Sequence, residues 1–281
     1  MNNPFRLCAF ADEASRDLDG QIKALRENGM ELLEIRGVDG KNVAKLTRDE
    51  AKETAARLSD GGIRVWSIGS PIGKCDISDP PEQELDRFLR VLDTANVLGA
   101  SRIRLFSFYS CTDGDAERVI ERLSEFIERS RGSGVLLCHE NEKGIFGDVA
   151  DRCRILLSAL PELRAVFDPA NYVQCGEDTL RAWKLTGEYT DYVHIKDALA
   201  DGRVVPPGAG EGHLPEILKL AAEHGVEVLT LEPHLKVFEG LSALEKGNPD
   251  VGSLAFSSGR EAFDYATNTL KEVLNNSTHA S

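Results

Sequence analysis

The chain repeats one pattern eight times: a short apolar run, a turn, then a stretch with helical periodicity. Runs at 5–11, 31–36, 63–69, 102–108, 134–140, 163–168, 191–195 and 226–232 read as strands. Helical patterns fit between them at 16–28, 47–60, 81–98, 114–131, 148–160, 178–187, 214–224 and 259–275. A helix after each strand returns the chain to start the next strand in the same direction, so the strands are expected to be parallel. Eight such units within 281 residues match the roughly 250 residues that a closed barrel of eight βα units needs. The expected fold is therefore a single α/β (β/α)8 TIM barrel, one domain over 1–281. An open doubly wound sheet is the rival. It would usually carry a Gly-rich loop after strand 1, where this chain reads Ala11-Asp12-Glu13-Ala14-Ser15.

Local signals agree with these boundaries. Thr47 with Glu50 and Ser258 with Glu261 have capping-box spacing. Pro80 and Pro81 fit a helix start, and Gly29, Gly62, Gly99 and Gly225 fit helix stops. The segment 233–257 is long for a βα loop and contains Pro233, Gly240, Gly247, Pro249 and Gly252. Such loops at the catalytic end of a barrel often act as lids.

Four of the late runs carry a metal-ligand side chain at or one residue before their end: Glu140, Asp168, His194 and Glu232, spaced 28, 26 and 38 residues apart. Each gap is about one strand-plus-helix unit, so all four belong at one end of neighbouring strands. Taken singly, a strand-end carboxylate is most often a helix cap. Taken together, the three carboxylates would repel one another without a cation. We expect one divalent metal ion. The oxygen-rich donor set favours Mn²⁺, with Mg²⁺, Co²⁺ or Zn²⁺ as alternatives.

Composition excludes several function classes. The formal net charge is −14, which opposes nucleic-acid binding because that depends on clustered Lys and Arg. No run approaches the 18 apolar residues of a membrane span, and the start of the chain has no signal-peptide pattern. Six cysteines are scattered without a CxxC pair, as in reduced proteins of the cytoplasm, the expected location.

Five strings carry a family resemblance: His139-Glu140-Asn141, Phe167-Asp168-Pro169-Ala170-Asn171, Val193-His194-Ile195-Lys196-Asp197, Pro207-Gly208-Ala209-Gly210-Glu211-Gly212 and Leu231-Glu232-Pro233. In combination and order they resemble the sugar phosphate isomerase/epimerase family with the xylose-isomerase-like TIM barrel, in the endonuclease IV superfamily. The resemblance covers 134–240, and the first 130 residues match only in rhythm. It implies a metal-dependent isomerase or epimerase acting on a sugar, keto-sugar or keto-inositol. Glu140 and Glu232 would be catalytic acid/base residues as well as ligands, with Asp168 and His194 as ligands alone. The chemistry is proton transfer beside a carbonyl through a metal-stabilised enediolate. With a leaving group on the next carbon, the same base and metal would give β-elimination, so a lyase or dehydratase is the alternative. A barrel that keeps a metal only for stability is a third reading. The resemblance also allows a homo-oligomer.

Secondary positions fill out the mouth. Asn171 stands where several relatives carry histidine, so it would meet a substrate hydroxyl and hold a second metal poorly. That departure, and the lack of histidines before His139, argue against a DNA-repair enzyme. Lys196 points the same way as His194 in a strand and would bind a substrate oxygen or orient a carboxylate, or else pair with Asp197 or Glu211. His139 points away from Glu140, behind the wall. His234 either faces the mouth or caps a loop. His213, in the Gly-rich stretch, either approaches substrate or is solvated. Glu13 after strand 1, Arg36 at the end of strand 2 and Tyr109 after strand 4 are candidate substrate-binding residues, with Arg36 binding a phosphate or carboxylate or, alternatively, pairing with Glu34 or Asp39. Trp66 and Phe106 read as core aromatics or, less simply, a sugar-stacking wall. Gly208 and Gly210 have the look of a phosphate cradle, but with no clear basic cluster in the sequence a phosphorylated substrate stays open.

Overall fold

The computed structural model describes residues 4–237 and 255–279. Its eight barrel strands are β1 (Arg6–Ala9), β2 (Leu32–Ile35), β3 (Arg64–Gly69), β4 (Arg102–Leu105), β5 (Leu136–Glu140), β6 (Arg164–Phe167), β7 (Thr190–Ile195) and β8 (Val228–Leu231). Each pairs in parallel with its neighbours in sequence, and β1 closes the ring on β8 with Cys8 opposite Thr230. The helices α1 (Leu18–Glu27), α2 (Arg48–Asp60), α3 (Pro81–Leu98), α4 (Ala116–Ser130), α5 (Ala150–Ala159), α6 (Pro169–Gln174), α7 (Thr179–Thr186), α8 (Leu214–Glu223) and α9 (Gly259–His279) lie in the connections and after β8. The chain forms the expected TIM barrel.

The period-two alternation of the strands sorts residues into two cores. One set, with Leu33, Ile35, Ile103, Leu137, Phe167, Val193 and Leu229, faces the helices in one continuous core. The other set fills the barrel. At its floor Cys8, Leu32, Cys138, Val166, Tyr192 and Val228 pack together with Trp66 against them. The next residues of the same parity, Glu34, Glu140, Asp168 and His194, form the layer above, and Glu232 joins them from one step further on, beyond Thr230 and just past the end of β8. A closed parallel barrel packed inside and out therefore presents its polar layer at only one end, that of the strand C-termini.

Helix punctuation behaves as expected. Thr47 and Glu50 form a complete capping box, and Pro81 occupies the first turn of α3. Gly29, Gly62, Gly99 and Gly225 all take positive φ beyond helix ends. At α9 the Glu261 N–H is capped by Ser258, but the Glu261 carboxylate reaches Ser257.

Several boundaries differ. The first strand ends at Ala9, and Ala11–Glu13 turns as a 3-10 helix. The fourth ends at Leu105 because Phe106 and Phe108 donate their N–H groups to Ile72 and Gly73 carbonyls in the preceding loop, not to a barrel neighbour. The fifth begins at Leu136, two residues beyond Gly134 in a left-handed turn. The short helix α6 was not visible in the apolar pattern: the Asp168 side chain accepts the Asn171 N–H and starts it, with Pro169 in its first turn. Two hairpins, Gly37–Val38 with Lys41–Asn42 and Asp197–Ala198 with Val204–Val205, project from the mouth. Most of the expected lid at 233–257 lies outside the described residues.

Candidate metal centre

Glu140, Asp168, His194 and Glu232 converge at the mouth, with one donor atom from each lying within 4.8 Å of the others. His194 stands at the centre. Its Nδ1 is 3.1 Å from Glu140 Oε1, 3.5 Å from Glu232 Oε2 and 4.0 Å from Asp168 Oδ2. Its Nε2 faces the other way and meets Glu34 Oε2 at 3.1 Å. All four residues are buried. Ligands around one ion at about 2.1 Å stand no more than about 4.2 Å apart, so this cluster needs little contraction to hold one.

Charged neighbours surround the four. Lys196 Nζ lies 3.0 Å from Asp168 Oδ2 and 3.5 Å from Glu232 Oε2. Arg36 donates to Glu232 Oε1 at 2.9 Å, to Glu13 at 3.2 Å and through two nitrogens to Asp12. Arg104 Nε sits 3.2 Å from Glu140 Oε2. Five buried carboxylates (Glu13, Glu34, Glu140, Asp168, Glu232) thus meet three buried cations (Arg36, Arg104, Lys196), with Asp12 adding another acid at the solvent edge. Buried charge of one sign in excess is costly, and a divalent cation would offset an excess of two. Asp168 Oδ2 accepts no hydrogen bond of good geometry, which leaves it disposed toward a cation.

These surroundings set the ionisation. Burial would raise the Glu140 carboxyl, but His194 and Arg104 outweigh it and hold it down at about 2. Burial raises Asp168 to about 6 against the pull of Lys196. For His194, burial favours the neutral ring, but Glu140 and Glu34 overcome it and favour the cation. An ion bound at Nδ1 would take over that positive charge, leaving Nε2–H to donate to Glu34.

Most substrate-binding candidates reach this cluster. Glu13 accepts the His234 N–H at 2.8 Å, and His234 Nε2 lies 3.4 Å from both Glu13 and Glu232. These three form a second group of potential metal donors, but the Arg36 guanidinium already lies against both carboxylates and opposes another cation. Asn171 is committed inward: its amide donates to Glu140 Oε1 at 3.3 Å and to the Asn141 carbonyl at 2.9 Å. Tyr109 stands apart in a small apolar cluster with Phe106 and Ile145, and burial pushes its phenol up to about 12.

Other expectations are corrected. Arg36 pairs with Asp12, Glu13 and Glu232, not Glu34 or Asp39. Lys196 follows its carboxylate-orienting alternative, beside Asp168 and Glu232, and does not pair with Asp197 or Glu211. The Gly-rich loop cradles an internal anion: Gly208, Gly210 and Gly212 donate their N–H groups to the Asp197 carboxylate. His213 is the N-cap residue of α8 and bonds Thr179 through Nδ1. His139 lies behind the wall as expected, with Nε2 2.9 Å from Ser107 Oγ. Trp66 packs at the floor, with Arg102 over its ring at 3.7 Å. Phe106 is flanked by Lys74 at 4.4 Å and Arg104 at 4.5 Å.

Four contributors escaped the sequence reading. Glu34 orients His194 and also accepts from Tyr192 Oη at 2.8 Å. Arg104 steadies Glu140. Asn141 ties β5 to the end of β6 by exchanging two bonds with the Asp168 backbone, each 2.9 Å. Phe10 sets its ring edge-on to His194 at 5.3 Å and under Arg36 at 4.3 Å. The available signal for Glu34 and Arg104 was a charge in the middle of an apolar strand with the parity of the site.

Residues 22–247 match the family described as xylose isomerase-like TIM barrel. No curated protein sequence matches. Among solved structures, the chain is similar to an IOLI protein with a bound zinc atom (TM-score 0.75, 15% identity, covering 97% of this chain and 99% of that one). It is similar to an L-ribulose 3-epimerase (TM-score 0.72, 18% identity, 98% and 96%). It is equally similar to a probable 3-DHS dehydratase, AsbF, from Bacillus anthracis (TM-score 0.72, 15% identity, 95% and 98%).

Proposed function

Because the chain belongs to the xylose isomerase-like TIM barrel family, we propose that it is a divalent-metal-dependent sugar isomerase or epimerase. The observation that carries this reading is the set of four buried donors, from four adjacent strands, gathered within 4.8 Å at the barrel mouth. Glu140, Asp168, His194 and Glu232 would hold the ion, with Mn²⁺ the preferred occupant. The bound ion would polarise a substrate carbonyl and offset the negative charge that develops on its oxygen.

The chain's own residues do the proton work. Glu140 and Glu232 are held as carboxylates by their cationic neighbours, the state a base needs. One takes the proton from the carbon beside the carbonyl. Return of a proton to the opposite face inverts that carbon, and return to the adjacent carbon moves the carbonyl. Lys196 and Arg36 fix the Glu232 carboxylate, and Asn171 and Arg104 fix that of Glu140, so neither must reorganise during transfer. Elimination from an oxidised sugar uses the same base, and the likeness to a probable dehydratase matches that to the epimerase in TM-score.

Elemental analysis of wild type, Glu232→Gln and His194→Ala, purified without added metal, tests the reading. About one divalent ion per chain in the wild type and loss in the variants is the expected result. No metal even after incubation with Mn²⁺ would overturn it. Incubation of metal-loaded protein with ketoses in D₂O then separates deuterated sugar, the mark of an isomerase, from an unsaturated product, the mark of a lyase.

A further inference from the structure

Beside the metal centre a cleft of about 760 Å³ opens between the loops that follow β1, β2 and β3 and the start of α9. Asp12, Glu13 and Arg36 form its inner wall, and Arg36 bonds Glu232, so one buried guanidinium stands between the cleft and the candidate centre. Its lining is opposite in charge to the protein. Seven Lys or Arg residues line it against two acids, whereas the whole chain has 33 basic and 47 acidic residues. One-fifth of all the basic residues face this one cleft.

Some of these cations are already paired: Lys41 with Glu50, Lys74 with Glu142 and Arg87 with Glu84. Lys45 and Arg90 make no ion pair among the described residues. They approach from two separate elements, Lys45 from the turn after the Gly37–Asn42 hairpin and Arg90 from α3. A neutral sugar gains little from such a wall. An anion gains twice: from charge-assisted hydrogen bonds at the outer end and from distance to the carboxylates at the inner end.

We infer that the substrate carries an anionic group, a phosphate ester or a carboxylate, at the end remote from its reacting carbonyl, and that Lys45 and Arg90 bind it. This rests on the isomerase/epimerase reading of the centre. The carbonyl end lies at Glu140 and Glu232, and the anionic end crosses Arg36 toward α3. The same cations attract an anionic substrate to the mouth of a protein whose net charge would otherwise repel it.

Calorimetric titration of the metal-loaded protein with D-fructose 6-phosphate, D-glucuronate and D-fructose tests this, in wild type and in Lys45→Ala/Arg90→Ala. At least one anionic probe is expected to bind about 10-fold or more tightly than fructose, from two charge-assisted contacts. The double variant, substituted at two exposed positions, should lose that advantage while its fructose affinity is unchanged. A stronger response to the phosphate marks a sugar phosphate substrate, and to glucuronate a sugar acid. Equal binding of all three probes, absence of binding, or an advantage that survives in the double variant would overturn the inference. Failure of the parent reading looks different: the anion preference persists, but the protein holds no metal and exchanges no deuterium.

Discussion

Glu34 accepts from or shares a proton with His194 Nε2 at 3.1 Å across the barrel, and this contact turns Nδ1 of the same ring toward Glu140, Asp168 and Glu232. A metal-ligating imidazole oriented by a carboxylate is typically weakened in metal affinity by about 10–100-fold when that partner is lost. Glu34→Ala is therefore expected to lower metal affinity by about that factor, and Glu34→Gln by less, since its amide oxygen can still accept from Nε2–H. Competition titration against a chromophoric chelator measures this, and unchanged affinity in Glu34→Ala would remove Glu34 from the site.

Removing one of the two proposed acid/base carboxylates should separate binding from chemistry. Glu140→Gln keeps an oxygen toward the cluster but loses the proton acceptor, so deuterium exchange should fall by about 10²–10⁴-fold, with far less change in substrate affinity. The check is exchange rate and affinity measured on the same metal-loaded sample. Equal losses in both would reduce Glu140 to a ligand.

Chelation should expose the cost of the buried acids. With the ion removed, the carboxylates have Arg36, Arg104, Lys196 and the protonated His194 ring in place of a divalent charge, so the melting temperature should drop on EDTA treatment and recover on adding Mn²⁺. At free metal about 100-fold above its dissociation constant, linkage gives about 2.7 kcal/mol. Lys196→Met breaks a buried pair and should cost about 3–5 kcal/mol in the metal-free protein, with a smaller loss when metal is present. Identical losses with and without metal would show that Lys196 and the ion do not share the same charge balance.

His139 predicts a stability loss on the acid side. Burial lowers its imidazole from 6.5 to about 4, only partly opposed by Glu140. The folded protein therefore binds fewer protons at this position than the unfolded chain does. The contribution is fully present above pH 6.5 and is lost as pH falls toward 4, about 3 kcal/mol at about 1.4 kcal/mol per pH unit. Urea unfolding of wild type and His139→Gln across this window checks it: the difference between them should shrink or change sign as pH falls. A constant difference would exclude His139 as the source.

A backbone approach makes the fifth prediction. A Cβ on Gly147 would lie 2.4 Å from the His139 ring, and that ring is held by Ser107 Oγ, which also accepts the Gly147 N–H at 2.8 Å. Gly147→Ala should destabilise the protein by about 1–3 kcal/mol through overpacking, measured by denaturant midpoint, and Gly147→Ala combined with His139→Ala should recover part of it.

The barrel was legible because each of its units announces itself locally. An apolar run such as Leu136–Glu140 and a capped helix such as Arg48–Asp60 depend on neighbours within a few residues. The candidate ligands were legible for the same reason: Glu140, Asp168, His194 and Glu232 share a position within their units, and symmetry of the fold turns equal position into proximity. The 106–108 stretch misled because Phe106 and Phe108 look like strand residues, while their N–H partners lie in a loop some 34 residues earlier.

The sequence by itself determined the parallel βα order, the positions of the eight longer helices and the convergence of four ligand-type side chains, since all follow from periodicity and repeat. Only the tertiary structure decided the partners: Glu34 behind His194, Arg36 shared among Asp12, Glu13 and Glu232, Asp197 in the glycine loop, and seven cations around one cleft. Charges interact over a few ångströms of space whatever their separation along the chain, 160 residues for Glu34 and His194. Closure of the barrel sets that distance, and no local pattern encodes it.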